Sequence, residues 1–81
     1  MDDDLQARIQ HEIAELRAAH PRITAFHAAL EQWFEGTDAR YSLGLDIRWP
    51  QHQSLISSEA RSSAYAAVRA AFDAAAKQLA T

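Results

Sequence analysis

Arg40-Tyr41-Ser42-Leu43-Gly44-Leu45-Asp46-Ile47-Arg48-Trp49 alternates apolar and polar residues without a break. Tyr41, Leu43, Leu45, Ile47 and Trp49 fall on one side of an extended chain, and Arg40, Ser42, Gly44, Asp46 and Arg48 on the other. A period of two is the geometry of a β-strand, whose successive side chains point to opposite faces. One apolar and one wet face indicate an antiparallel sheet covered on a single side. The chain around this stretch must therefore supply neighbouring strands and a covering layer.

Upstream, Glu35-Gly36-Thr37-Asp38 has the residues of a tight turn. The segment before it, Arg22 to Trp33, reads two ways. Its alanines, Leu30, Glu31 and Gln32 are good helix formers. Read as a strand, it places Thr24, Phe26, Ala28 and Leu30 on one face. The central strand needs partners, so 22–33 is assigned as a strand. Downstream, Pro50-Gln51-His52 turns the chain. Gln53 to Ala60 then reads as a third strand with Leu55 and Ile56 at its centre.

The two ends of the chain carry a helical period. Leu5, Ile9, Ile13 and Leu16 line one face of a helix over residues 5–19, with Asp4 suited to cap it and Pro21 forbidding its continuation. Ala64, Val68, Phe72, Ala75 and Leu79, flanked by Tyr65 and Ala71, form the inner stripe of a helix over residues 63–79, capped by Ser62 or Ser63. On the outer sides, Arg8–Glu12, His11–Glu15, Arg69–Asp73 and Asp73–Lys77 are spaced for ion pairs. The expected fold class is α+β in the order α-β-β-β-α, a three-stranded antiparallel sheet with two helices on one face. Residues 1–81 are expected to form a single domain.

Composition narrows the function. Nearly half of the apolar residues, which make up 48% of the chain, are alanine, so there is material for one thin core between two layers. The net charge of −3 counts against a free-standing nucleic-acid binder. Cysteine is absent, which removes disulfides, thiolate metal sites and thiol catalysis. No apolar run is long enough for a membrane span, and Met1-Asp2-Asp3-Asp4 is unlike the basic start of a signal peptide. The expectation is a soluble, cytoplasmic protein without contact with a membrane.

Gly36 and Gly44 are the only glycines, so no loop is built to cradle phosphate. No Ser-His-Asp arrangement suggests itself, and no enzymatic activity or cofactor is expected. His11, His20, His27 and His52 lack the spacing that would place two imidazoles on one ion, and no metal site is expected.

The last helix resembles that of the ribosome hibernation promoting factor family, also called ribosome-associated inhibitors or sigma-modulation proteins. The residues that carry the likeness are Ser63-Ala64-Tyr65-Ala66-Ala67-Val68-Arg69, then Ala70-Ala71-Phe72-Asp73, then Lys77-Gln78-Leu79. Leu5-Gln6-Ala7-Arg8-Ile9 and Arg22-Ile23-Thr24 are similar to the family's first helix and the strand after it. The resemblance spans nearly the whole chain and is most specific in the last helix. The family fold opens with a strand before the first helix, whereas only Met1 to Asp4 precede it here. The resemblance thus implies that fold without its first strand. The strand at 22–33 would then be an open edge, and a homodimer through it is expected.

The resemblance also implies docking on the small ribosomal subunit, where basic side chains contact ribosomal RNA and the bound protein damps translation under stress. The residues that would make those contacts are Arg69 and Lys77 on the last helix, with Arg22, Arg40, Arg48 and Arg61 on or beside the sheet. Such contacts hold phosphates and position a domain without reading sequence. The plainer reading of the same residues is a solvated surface of weak ion pairs. Ala74 stands where the family usually has a basic residue, and Arg40 and Arg48 bracket Asp46. The acidic balance and the missing edge strand favour the alternative, a protein-interaction or self-assembling module that kept the fold without the ribosome, whereas the closing helix favours the ribosome.

Double-stranded RNA-binding domains share the α-β-β-β-α order, but their second helix opens on a lysine cluster. Arg61-Ser62-Ser63-Ala64 offers one arginine there. Trp33, Phe34, Tyr41 and Trp49 could stack on bases, but their positions suit packing at the core. Tyr65 is expected to be half-buried, with its hydroxyl in water.

Overall fold

A computed structural model describes residues 3–58 and 60–80. The elements are α1 (Asp3–Ala19), β1 (Ala25–Glu35), β2 (Asp38–Trp49), β3 (His52–Ser57) and α2 (Ala64–Leu79). The strands form one antiparallel sheet in the order β1-β2-β3, with both helices on the same face. The expected α-β-β-β-α architecture is the one observed.

Two short turns set the register. Gly36 has φ +65° and begins the two-residue connection that closes Glu35 against Asp38, a position where a glycine at positive φ matches the twist of a hairpin. Phe26 then lies opposite Ile47, Ala28 opposite Leu45 and Leu30 opposite Leu43. Pro50 and Gln51 close Trp49 against His52, which places Ile56 opposite Leu45 and Ser54 opposite Ile47. Gln51 takes φ +67°, unusual for a residue with a Cβ, as a type II turn with proline at its second position demands.

The inner face of the sheet meets the helices. Leu43, Leu45 and Ile47 are buried against Val68, Ala71, Phe72 and Ala75 of α2 and Leu5 and Ile9 of α1. Alanines at the contact let α2 lie close to the strands, and Phe72 supplies the bulk. The stripe includes Ala67, which the sequence pattern passed over, while Ala64 and Leu79 are only half-buried. Ser63 caps α2, its hydroxyl accepting a 3.4 Å hydrogen bond from the Ala66 amide.

Several boundaries differ from expectation. β1 begins at Ala25 and runs to Glu35, so Arg22 and Ile23 precede the sheet. β3 ends at Ser57; beyond it, the Leu43 amide donates to the Ser58 hydroxyl (2.9 Å) and the Ser58 amide to the Leu43 carbonyl (3.0 Å). Helix α1 already includes Asp3, so Asp4 lies within its first turn, and the capping position falls outside the described residues. Phe34 does not close the core. It is 65% exposed, because the β1–β2 hairpin outruns the helices that cover its base. Leu55, expected near the centre of a packed strand, lies on the uncovered face opposite Asp46 and is 73% exposed.

Candidate functional site

Strand parity and helical period divide the candidate basic residues between opposite sides of the molecule. Arg40 and Arg48 occupy even positions of β2, whose odd positions form the core, so both project from the uncovered face of the sheet. Arg69 and Lys77 lie on the solvent side of α2. A single flat ligand cannot touch both sets.

On the sheet face, each arginine has an acid of its own. Arg48 donates from Nε and Nη2 to the two carboxylate oxygens of Asp46, at 3.3 and 3.2 Å. Gln53 Nε2 adds a 3.0 Å hydrogen bond to Asp46 Oδ1. The Gln53 amide first, then the Arg48 guanidinium, hold the Asp46 carboxyl below the usual carboxylate range. Arg40 Nε lies 3.6 Å from Glu35 Oε2, and Trp33 Nε1 donates to Glu35 Oε1 at 3.4 Å. Trp33 thus sits on the uncovered face beside an ion pair, not in the core.

The helical side is less neutralised. Arg69 is loosely paired, its side chain 84% exposed and Nε 3.9 Å from Asp73 Oδ2. It lines a groove between α1 and α2 together with Arg8, Glu12 and Tyr65. Lys77 is exposed and makes no ion pair among the described residues. Arg22 lines a small cleft with Trp49, Gln78 and Leu79, which places it at the C-terminal end of α2, the end that carries Lys77. Arg61 is joined to Tyr41 by two backbone hydrogen bonds of 2.8 and 2.9 Å, and its residue surface is exposed.

The structure therefore gathers Arg69 with Arg8 in one groove and Arg22 with Lys77 at one end of α2, while Arg40 and Arg48 face the other way. Arg8 is the contributor that sequence reasoning assigned only to an ion pair with Glu12. Its signal was its place on the flank of the Leu5–Ile9 stripe, which points it toward whatever packs beside α1.

The histidines are spread out. His11 Nε2 contacts Glu15 Oε1 at 3.1 Å, and His52 stacks on Trp49 with ring centroids 5.6 Å apart. Among the described residues no three of His, Asp and Glu cluster in a way that could hold a metal ion. No helix among them is long and apolar enough to cross a membrane.

Fold and surface together define a small α+β domain with one covered and one open sheet face. No family model matches the chain, and no curated protein is similar to it in sequence.

Proposed function

We propose that this domain binds the small ribosomal subunit through its helical side and damps translation by occupying the site of messenger and transfer RNA. The observation that carries this reading is α2. The helix whose residues resemble the hibernation promoting factors forms over Ala64–Leu79, buries Val68, Phe72 and Ala75, and leaves Arg69 and Lys77 open to solvent. Arg69 and Lys77 contact phosphates of ribosomal RNA, Arg22 and Arg61 flank them, and the protein acts in the cytoplasm by occupancy rather than by chemistry. Arg40 and Arg48, each paired with an acid on the opposite face, contribute less.

Sedimentation with ribosomes through a sucrose gradient tests the reading. Co-migration with the small subunit is expected at low salt, weaker at moderate salt. Arg69→Ala combined with Lys77→Ala should reduce the salt slope by roughly one for each phosphate no longer neutralised. Protein left at the top of the gradient at low salt overturns the reading.

A second reading, a protein-interaction module, is favoured by the Glu35–Arg40 and Asp46–Arg48 pairs, which neutralise both candidate arginines of the sheet face. It predicts no association with ribosomes at any salt concentration.

A further inference from the structure

We propose that β1 is the contact between two copies of this chain, paired antiparallel about a two-fold axis at Leu30 to give a continuous six-stranded sheet. Among the described residues β1 bonds only to β2, so one side of an eleven-residue strand is open. The Ser58 amide donates to the Leu43 carbonyl, so odd residues of β2 face β3 and even ones face β1. By the register, odd residues of β1 bond β2, and Phe26, Ala28, Leu30, Gln32 and Phe34 aim their amides and carbonyls at the open side. The strand has neither proline nor lysine, the residues that usually blunt an edge.

The same five residues point their side chains toward the helical side, and there the strand is complementary to itself. At its base, Phe26, Ala28 and Leu30 line a groove of about 600 Å³ with Ile9 and Ile13 of α1. At its tip Phe34 projects from the same face and is 65% exposed. A two-fold at Leu30 pairs the strand over its full length, Ala25 opposite Glu35 of the second copy. It sets each Phe34 opposite Phe26 of the other chain, at the mouth of that groove. On the uncovered face, Glu31 then lies opposite Ala29 and His27 opposite Trp33. Moving the axis one residue toward the hairpin tip would set Glu31 against itself, a repulsive cross-strand pair.

Sedimentation equilibrium of the full chain over a concentration series tests this. A dimer is expected at high micromolar concentration. Gln32→Pro removes an amide aimed at the open edge, and Phe34→Glu replaces an exposed ring. Each should weaken dimerisation about tenfold or more while leaving the circular dichroism spectrum unchanged. With a nitroxide on the Glu35→Cys variant, the two labelled backbone positions should lie ~33 Å apart, ten residues along a strand. The Arg69→Ala, Lys77→Ala double variant should keep the dimer mass, which separates this proposal from ribosome docking. A monomer at high micromolar concentration overturns it and leaves β1 to an extended segment of other origin. A dimer indifferent to both β1 variants, or a label separation far from that distance, overturns it as well.

Discussion

Phe26 of β1 and Phe72 of α2 stack with ring centroids 6.1 Å apart and planes 19° from parallel. Apart from Phe72 and Val68, the helix buries only alanines, so the ring pair bridges the edge strand and the closing helix. Phe72→Ala is expected to cost about 3–5 kcal/mol, a large share of the stability of so small a domain. Phe72→Leu should cost under ~1.5 kcal/mol. Urea unfolding followed by circular dichroism would show the difference. Equal, small losses would mean the ring contact is incidental.

Asp46 gives the fold a dependence on acid. Its carboxyl is held below the ordinary range by Gln53 and Arg48. The stabilisation is therefore present above the unfolded-state pKa and disappears as pH falls through the lower, folded-state value. Asp46→Asn should flatten that part of the curve. Thermal melts from about pH 6 to about pH 2 would show a steeper decline for the parent chain than for the variant. Parallel curves would remove Asp46 as a cause.

Ser54 is buried on the inner face of β3, opposite Ile47, and among the described residues its hydroxyl has no hydrogen-bond partner. An unmet buried hydroxyl is a cost that truncation relieves, with little change in volume. Ser54→Ala should raise stability by about 1 kcal/mol. A clear drop in chemical denaturation would show that the hydroxyl is satisfied in solution.

Gln51 holds φ +67° in the turn between β2 and β3. Gln51→Gly removes the Cβ that makes this conformation costly and should gain about 0.5–1 kcal/mol, net of glycine's greater freedom when unfolded. Gln51→Val should lose at least ~1 kcal/mol, because a β-branched residue tolerates positive φ poorly. The two melting temperatures should therefore move in opposite directions.

The parts of this fold that could be read in the sequence are those where one local signal acts alone. β2 has strict alternation, and α2 has a helical stripe behind a serine cap. β1 is different: its alanines, Leu30, Glu31 and Gln32 favour a helix, and only pairing along β2 makes them a strand. Whether Leu55 or Ile56 points inward depends on the two-residue turn at Pro50-Gln51, which fixes register and hence face. Phe34 has the parity of a core residue, yet its exposure depends on where the helices stop. The candidate basic residues were identified by type, but how far each is neutralised was only partly visible. Asp46 brackets with Arg48 at spacing two, whereas Glu35 reaches Arg40 only because the hairpin closes between them.

β2 is bonded to β1 from end to end but to β3 only from Gly44 onward, with the Leu43–Ser58 hydrogen bonds and the Tyr41–Arg61 bridge beside its first half. The sheet is thus three strands deep at its base and nearly a bare ribbon at its tip. Amide protons in the two halves answer to different openings. Those of Leu45 and Ile47 exchange only when the covered base opens, whereas those of Arg40 and of Trp33 opposite it are released by fraying of the ribbon itself. Proteolytic nicking of the native protein would accordingly begin near Gly36-Thr37, at the end of the molecule that unfolds without the rest.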